Sequence, residues 1–122
     1  MPRLARASQT VRGARMAELR TPELHQTTVE ERFQSLARNW QEETAHLSSF
    51  TKRILNPHYQ QIIGIGPAVV PYLLRDLARE PKDWFWALYS ITGANPVAEQ
   101  DQGNIAAMSE AWLNWGKQRG MI

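Results

Sequence analysis

The sequence predicts an all-α fold, a small bundle of about five helices with a HEAT-like helix pair in the middle. Apolar residues recur at helical spacing in several segments, and typical helix-start and helix-stop residues bound those segments. No segment alternates apolar and polar residues for long enough to form a strand. The short connections between successive helices favour antiparallel packing of neighbours.

The first helix is predicted over 29–47. Thr28 followed by Glu31 forms a capping box, in which each side chain satisfies a free backbone N–H at the helix start. One apolar stripe runs along this helix and consists of Val29, Phe33, Leu36, Trp40 and Leu47. Ser48-Ser49 interrupts the stripe and can cap a short helix that ends near residue 55.

The next two helices are bounded by proline and glycine. Asn56-Pro57 predicts the start of a helix over 58–63, because proline lacks only an N–H that a first turn leaves unpaired. Gly64 is expected to end this helix in a left-handed conformation. A third helix is predicted over 67–79, with its two prolines close to the first turn, where they disrupt it least.

Two further helices are predicted, over 83–92 and over 105–118. Gly93 ends the first, a polar loop follows over 95–103, and Asn104 caps the second. The helical stripes predict a buried core made of Phe33, Leu36, Trp40, Ile62, Leu73, Leu77, Leu88, Ile91, Met108 and Trp112.

Composition excludes several classes of protein. The chain has 122 residues and no cysteine, which excludes a disulfide scaffold, thiolate zinc sites and cysteine catalysis. Its length suits one domain with a modest core. No apolar run approaches the roughly 20 residues of a membrane span, and no stretch resembles a signal peptide. We therefore expect no membrane contact and a cytoplasmic location.

Charge divides the chain into two parts. Residues 1–20 contain five arginines and one acid, whereas residues 21–122 contain two more acids than bases. We predict a basic, disordered leader over 1–26 and a single helical domain over 27–122. In the leader, Arg3, Arg6, Arg12 and Arg15 could bind nucleic acid. An organelle transit peptide and an upstream start codon, with Met16 as the true initiator, are the alternatives.

Two resemblances add to this interpretation. Residues 66–74, Gly-Pro-Ala-Val-Val-Pro-Tyr-Leu-Leu, resemble the second helix of a HEAT-type repeat, and residues 87–93 resemble the first helix of the next repeat. HEAT-type proteins are partner-binding scaffolds, so this resemblance implies binding rather than catalysis.

A larger part of the chain, about 29–120, is similar to an uncharacterised family of small all-helical bacterial proteins that is frequent in cyanobacteria. The segments that carry this similarity are 56–64 (Asn-Pro-His-Tyr-Gln-Gln-Ile-Ile-Gly), 83–88 (Asp-Trp-Phe-Trp-Ala-Leu), 91–93 (Ile-Thr-Gly) and 111–116 (Ala-Trp-Leu-Asn-Trp-Gly). The resemblance implies the boundary between leader and domain but no catalytic residues.

No motif in the sequence indicates catalysis. Glu43-x-x-His46 has the spacing of a helical di-metal site, but such sites need two of these motifs and further glutamates. The three histidines do not have zinc spacing. Gly64-Ile65-Gly66 lacks the rest of a nucleotide-binding loop. The helix after that turn offers few donors or acceptors for reading DNA bases. We expect no enzymatic activity, no metal and no cofactor.

The five tryptophans are the most unusual feature of the sequence. Trp84 and Trp86 lie about 200° apart on a helix, so they cannot both face one small core. We predict that Trp86 or Trp115 borders a shallow apolar surface with Tyr89 or Lys117 at its rim. The favoured function is a non-enzymatic protein-binding module, such as the antitoxin- or adaptor-like partner in a two-protein system. The alternative is a nucleic-acid-binding protein that uses the leader.

Overall fold

A computed structural model describes residues 28–122 of the chain, so the predicted leader over 1–26 lies outside the described residues. Within 28–122 there are six α-helices and no strand, which confirms the all-α prediction. The helices are α1 (Val29–Thr44), α2 (Phe50–Ile54), α3 (Pro57–Ile65), α4 (Val70–Arg79), α5 (Phe85–Thr92) and α6 (Ile105–Gln118). Two 3₁₀ turns, Pro67–Val69 and Glu99–Asp101, precede α4 and α6. None of the described helices is long and apolar enough to cross a membrane.

Capping residues set most helix starts as predicted. The hydroxyl of Thr28 accepts the backbone N–H of Glu31 at 3.1 Å, and the Glu31 carboxylate accepts the Thr28 N–H at 3.0 Å. Helix α1 nevertheless ends at Thr44, so the predicted end at residue 47 is wrong. The Thr44 hydroxyl bonds back to the Trp40 carbonyl at 2.7 Å, and the Leu47 N–H closes a turn onto Thr44 at 2.9 Å.

Proline and glycine residues set the helix boundaries in the middle of the chain. Asn56 caps α3 by accepting the His58 N–H at 2.8 Å. The helix passes through Gly64 and ends at Ile65, and the next residue, Gly66, has a φ of 87° in the region that favours glycine. The predicted end at Gly64 is wrong because the residue before Pro67 is the one kept out of helical geometry. The predicted helix over 67–79 starts as a 3₁₀ turn and becomes α-helical at Val70.

The last two helices lie close to their predicted ranges. Helix α5 begins at Phe85 rather than residue 83, and Gly93, with φ of 71°, ends it. Helix α6 spans the predicted 105–118, and the Asn104 side chain accepts the Ala107 N–H at 3.0 Å. Its end is a Schellman motif, in which Met121 and Gly120 donate to carbonyls of the last turn.

The helices pack as two connected groups. Helix α3 packs against α1, α2 and α5, whereas α6 packs against α4, and α4 also contacts α5. The turn Pro67–Val69 touches α1, α3 and α4 and buries Val69 completely, so it lies at the centre of the fold. Eight of the ten predicted core residues are buried, but Ile91 and Met108 are only half-buried and pack against the edge of the core.

Four aromatic rings form the interior cluster, namely Phe33, Trp40, Tyr59 and Trp84. Trp84 is central, because its ring centroid lies 4.8 to 5.6 Å from those of the other three. These distances are within the favourable range for aromatic pairs. The cluster joins α1 and α3 to the segment between α4 and α5.

Every polar atom of this cluster has a partner. Trp84 Nε1 donates to Asp76 Oδ2 at 2.8 Å, and Trp40 Nε1 donates to the Arg53 carbonyl at 2.8 Å. The Tyr59 hydroxyl donates to the Asp83 carbonyl at 2.7 Å and accepts the Ala87 N–H at 3.0 Å. Because unpaired buried polar groups are costly, these bonds fix the orientation of the Trp40, Tyr59 and Trp84 rings.

Candidate partner-binding site

An apolar cleft of about 320 Å³ separates α5 from α6. The two helices face each other across it and do not form one of the close helix pairs of the fold. Side chains from α2, α5, α6 and the loop between α5 and α6 line the cleft: Phe50, Phe85, Trp86, Tyr89, Asn95, Val97, Gln102, Met108 and Trp112. Among the described residues, no charged side chain lines it. The cleft is therefore suited to apolar groups rather than to ionic ligands.

Two aromatic rings of α5 form the exposed wall of the cleft. Trp86 and Tyr89 are three residues apart, so they share one face of the helix, and their ring centroids are 5.8 Å apart. Trp86 is 42% exposed and Tyr89 is 46% exposed. The opposite face of α5 carries Ala87 and Leu88, which are fully buried. Burial of that face anchors the helix, so the exposed rings project from a fixed support.

The opposite wall and the floor are more deeply buried. Trp112 and Met108 come from one face of α6, and Val97 comes from the connecting loop. Trp112 and Val97 belong to the core, whereas Met108 is half-buried. Phe50, at the start of α2, is 43% exposed and adds a third accessible ring. The cleft is thus a recess in the edge of the core, bordered by exposed aromatic rings.

The loop between α5 and α6 is held by local hydrogen bonds. The Thr92 hydroxyl donates to the Leu88 carbonyl at 2.7 Å and accepts the Ala94 N–H at 3.0 Å. At its other end, the Gly103 N–H lies 3.3 Å from the sulfur of Met108. These contacts fix both ends of the loop, which supplies Asn95, Val97 and Gln102 to the cleft. Their two carboxamides add polar groups to the lining, beside the Tyr89 hydroxyl and the two indole N–H groups.

Two of the four predicted partner-binding residues border the cleft, and the other two do not. Trp86 and Tyr89 border the apolar cleft, as expected. Trp115 is only 8% exposed, so the prediction that it could border the surface is wrong. It packs edge-on against Trp112 at 5.3 Å and lies under the Arg119 guanidinium at 4.4 Å. Lys117 is exposed but does not line the cleft.

Helices α5 and α6 lie on either side of the cleft and do not form a close pair. Helix α6 instead packs against α4, where Gly116 permits close approach. A Cβ atom at Gly116 would lie 2.6 Å from Leu74 Cδ1. This contact draws α6 towards α4 and leaves the cleft open on its α5 side.

The four leader residues of the nucleic-acid alternative, Arg3, Arg6, Arg12 and Arg15, lie outside the described residues.

Four residues of the cleft lining were not predicted from the sequence, namely Phe50, Asn95, Val97 and Gln102. The burial of Val97 could have been predicted, because it is a large apolar residue in a mostly polar loop. The other three could not, since they are brought to the cleft only by tertiary packing.

The Glu43-x-x-His46 motif does not form a paired site. Glu43 instead bonds across to α3, with its two carboxylate oxygens 2.9 Å from Asn56 Nδ2 and 3.0 Å from His58 Nε2. The hydrogen bond from Asn56, together with His58, lowers the pKa of Glu43 below its ordinary value. His46 is exposed. Within residues 28–122, no three acidic or histidine side chains converge as metal ligands.

Comparisons with protein-family models, with curated proteins and with solved structures find no match to this chain. The resemblances to HEAT repeats and to a bacterial protein family therefore stay predictions. The choice of function rests on the geometry of the cleft.

Proposed function

We propose that this chain is a non-enzymatic protein-binding module, an antitoxin- or adaptor-like partner in a two-protein system. In this proposal, the cleft between α5 and α6 receives an apolar ridge of the partner protein. The observation that carries it is the exposed pair Trp86 and Tyr89, set beside a recess with an apolar floor. Exposed apolar surface of this kind typically marks an interaction site, and aromatic residues are enriched among binding hot spots.

The geometry of the pair favours binding over a role in folding. Trp86 and Tyr89 leave about half of their surface in water, so they add less to the core than buried tryptophans do. Their helix is fixed by its buried face, so its backbone does not have to be ordered when a partner covers the rings. Each aromatic anchor in such a site contributes about 2 kcal/mol or more to binding.

Affinity capture from the native host tests this function with three forms of the full-length chain. These are the wild type, the double variant W86A/Y89A and the control Leu55→Ala. Leu55 is 63% exposed and does not line the cleft, so its replacement removes exposed apolar surface elsewhere. Quantitative mass spectrometry identifies proteins recovered with each form, and calorimetry with the purified partner then gives the Kd.

We expect the cleft variant to lose at least one partner that the wild type and Leu55→Ala both retain. Loss of two anchors should raise the Kd by about 100-fold or more. Melting temperatures within about 3 °C of the wild type would exclude unfolding as the cause. If W86A/Y89A folds and binds every partner as the wild type does, the cleft is not the partner site.

A further inference from the structure

A second, polar groove runs between α1 and α4. It consists of three neighbouring depressions, of about 320, 310 and 230 Å³, which share lining residues. The first and second share Gln41 and Lys82, and the second and third share Phe33, Gln34, Asp76 and Arg79. The groove follows α1 for about 20 Å, at 1.5 Å per residue from Glu30 to Thr44. It shares no lining residue with the cleft between α5 and α6.

Basic residues are concentrated in this groove. Residues 28–122 contain nine lysines and arginines and ten acidic residues. Five of the nine bases line the groove, namely Arg38, Arg53, Arg75, Arg79 and Lys82. Three of the ten acids line it, namely Glu30, Asp76 and Glu80. Arg53 is paired with Asp83 beside the groove, so the groove keeps a small net positive charge on a domain whose described part is slightly negative.

The bases of the groove differ in whether they are held in ion pairs. Asp76 pairs with Arg79 and, at 3.2 Å, with Lys82, so these two cations are fixed to the wall between α4 and α5. Arg38 and Arg75 are exposed and form no ion pair with any other residue of 28–122. The Arg75 guanidinium lies over the Tyr72 ring at 5.2 Å. Arg38 on α1 and Arg75 on α4 are therefore the groove arginines that have no ion-pair partner among residues 28–122.

We propose that this groove binds an extended acidic peptide segment, at a site independent of the cleft. A strand of about six residues spans 20 Å at 3.3 Å per residue. Guanidinium groups bind carboxylates through paired hydrogen bonds, and the Gln34 and Gln41 amides can bond the peptide backbone. The groove is less suited to single-stranded nucleic acid, which needs exposed rings for base stacking. Phe33 and Trp40 are buried in its floor, and Arg75 covers Tyr72.

The probe for this site is a fluorescein-labelled oligoglutamate peptide, with the matching oligoglutamine peptide as the uncharged control. Fluorescence anisotropy with the full-length chain compares the wild type with R38Q/R75Q. A first control, R32Q/K52Q, removes two exposed bases outside the groove. A second control, R3Q/R6Q/R12Q/R15Q, removes charge from the leader. Circular dichroism melting establishes that each variant is folded.

We expect R38Q/R75Q to weaken oligoglutamate binding about tenfold or more, because two charge-assisted contacts are lost. Both controls should retain binding within about threefold, and rising salt should weaken it in the wild type. Equal losses in R38Q/R75Q and R32Q/K52Q would show that net charge, not the groove, attracts the peptide. The proposal would also be overturned if only the leader variant lost binding. The same holds if labelled oligouridylate, tested in the same assay, binds the wild type more tightly than oligoglutamate does and loses affinity in R38Q/R75Q. If the cleft variant W86A/Y89A still binds the peptide, the groove is a different site from the proposed partner site in the cleft.

Discussion

The contact between Trp84 and Asp76 should be the most valuable single polar interaction in the core. Trp84 is fully buried, and its indole N–H donates to a carboxylate that is itself buried. Replacing Trp84 by Phe keeps an aromatic ring in the cluster but removes this donor. Lys82 and Arg79 still pair with Asp76, so the carboxylate stays ionised but loses one of its partners.

The expected cost of W84F follows from two losses. A hydrogen bond to a charged group contributes about 1.5–3 kcal/mol, and the void left by the smaller ring costs about 1 kcal/mol more. The sum, about 3 kcal/mol, is a large part of the roughly 5–15 kcal/mol that stabilises an ordinary domain. Removing the acceptor instead, by D76A, leaves the indole N–H unpaired in the core and should cost a similar amount.

Urea unfolding of the wild type, W84F, D76A and the double variant, followed by circular dichroism, gives a double-mutant cycle. Because both single variants break the same bond, we expect the double variant to be less destabilised than the sum of the two, by about 1–2 kcal/mol. Additive losses would refute the claim that this hydrogen bond holds the cluster together. The exposed neighbour variant Trp86→Ala is the control, and it should change stability by less than about 1 kcal/mol.

Three further predictions concern stability. Gly116→Ala should cost about 1–3 kcal/mol in urea unfolding because its new Cβ meets Leu74, whereas Gly64→Ala, with open space around it, should be neutral or stabilising. Burial raises the pKa of Asp76, but the Trp84 and Lys82 contacts outweigh it and lower that pKa below its ordinary value. Its stabilisation is complete above about pH 4 and is lost as pH falls through the folded-state pKa, so acid titration should destabilise the wild type more steeply than D76A. Burial raises the pKa of Tyr59, so the wild type should lose stability above about pH 10. Tyr59→Phe should cost about 2 kcal/mol at neutral pH and lack that alkaline loss, and a flat alkaline profile in the wild type would contradict this assignment.

Local signals predicted the helices well and their ends less well. The Thr28 capping box and the Asn104 cap act through neighbours within three residues, so the sequence alone locates them. Gly64 and Gly66 could each end α3, and the choice depends on Pro67, which restricts the residue before it. The prediction that α3 ends at Gly64 considered only the tendency of glycine to end helices and not the restriction that Pro67 imposes.

Packing between distant segments could not be predicted in the same way. Helical periodicity showed that Trp84 and Trp86 point in different directions, which located the exposed aromatic face on α5. It did not show where α6 would lie, because that depends on the close approach of Gly116 to Leu74. Trp115 was therefore expected near the surface, although it packs against Trp112 inside the domain.

Residues 84 to 86 place a fully buried tryptophan and an exposed tryptophan on one short segment. Trp84 joins α1, α3 and α4 through its ring contacts and its bond to Asp76, so the segment cannot rotate without breaking the core. Because Trp86 follows two residues later, its ring is held outward by the same constraint. The backbone that carries Trp86 is already ordered by folding, so a partner that covers the ring does not have to order this segment. If the cleft binds a partner as proposed, the buried network lowers the entropic cost of that binding, and weakening it by W84F should reduce partner affinity even where the chain still folds.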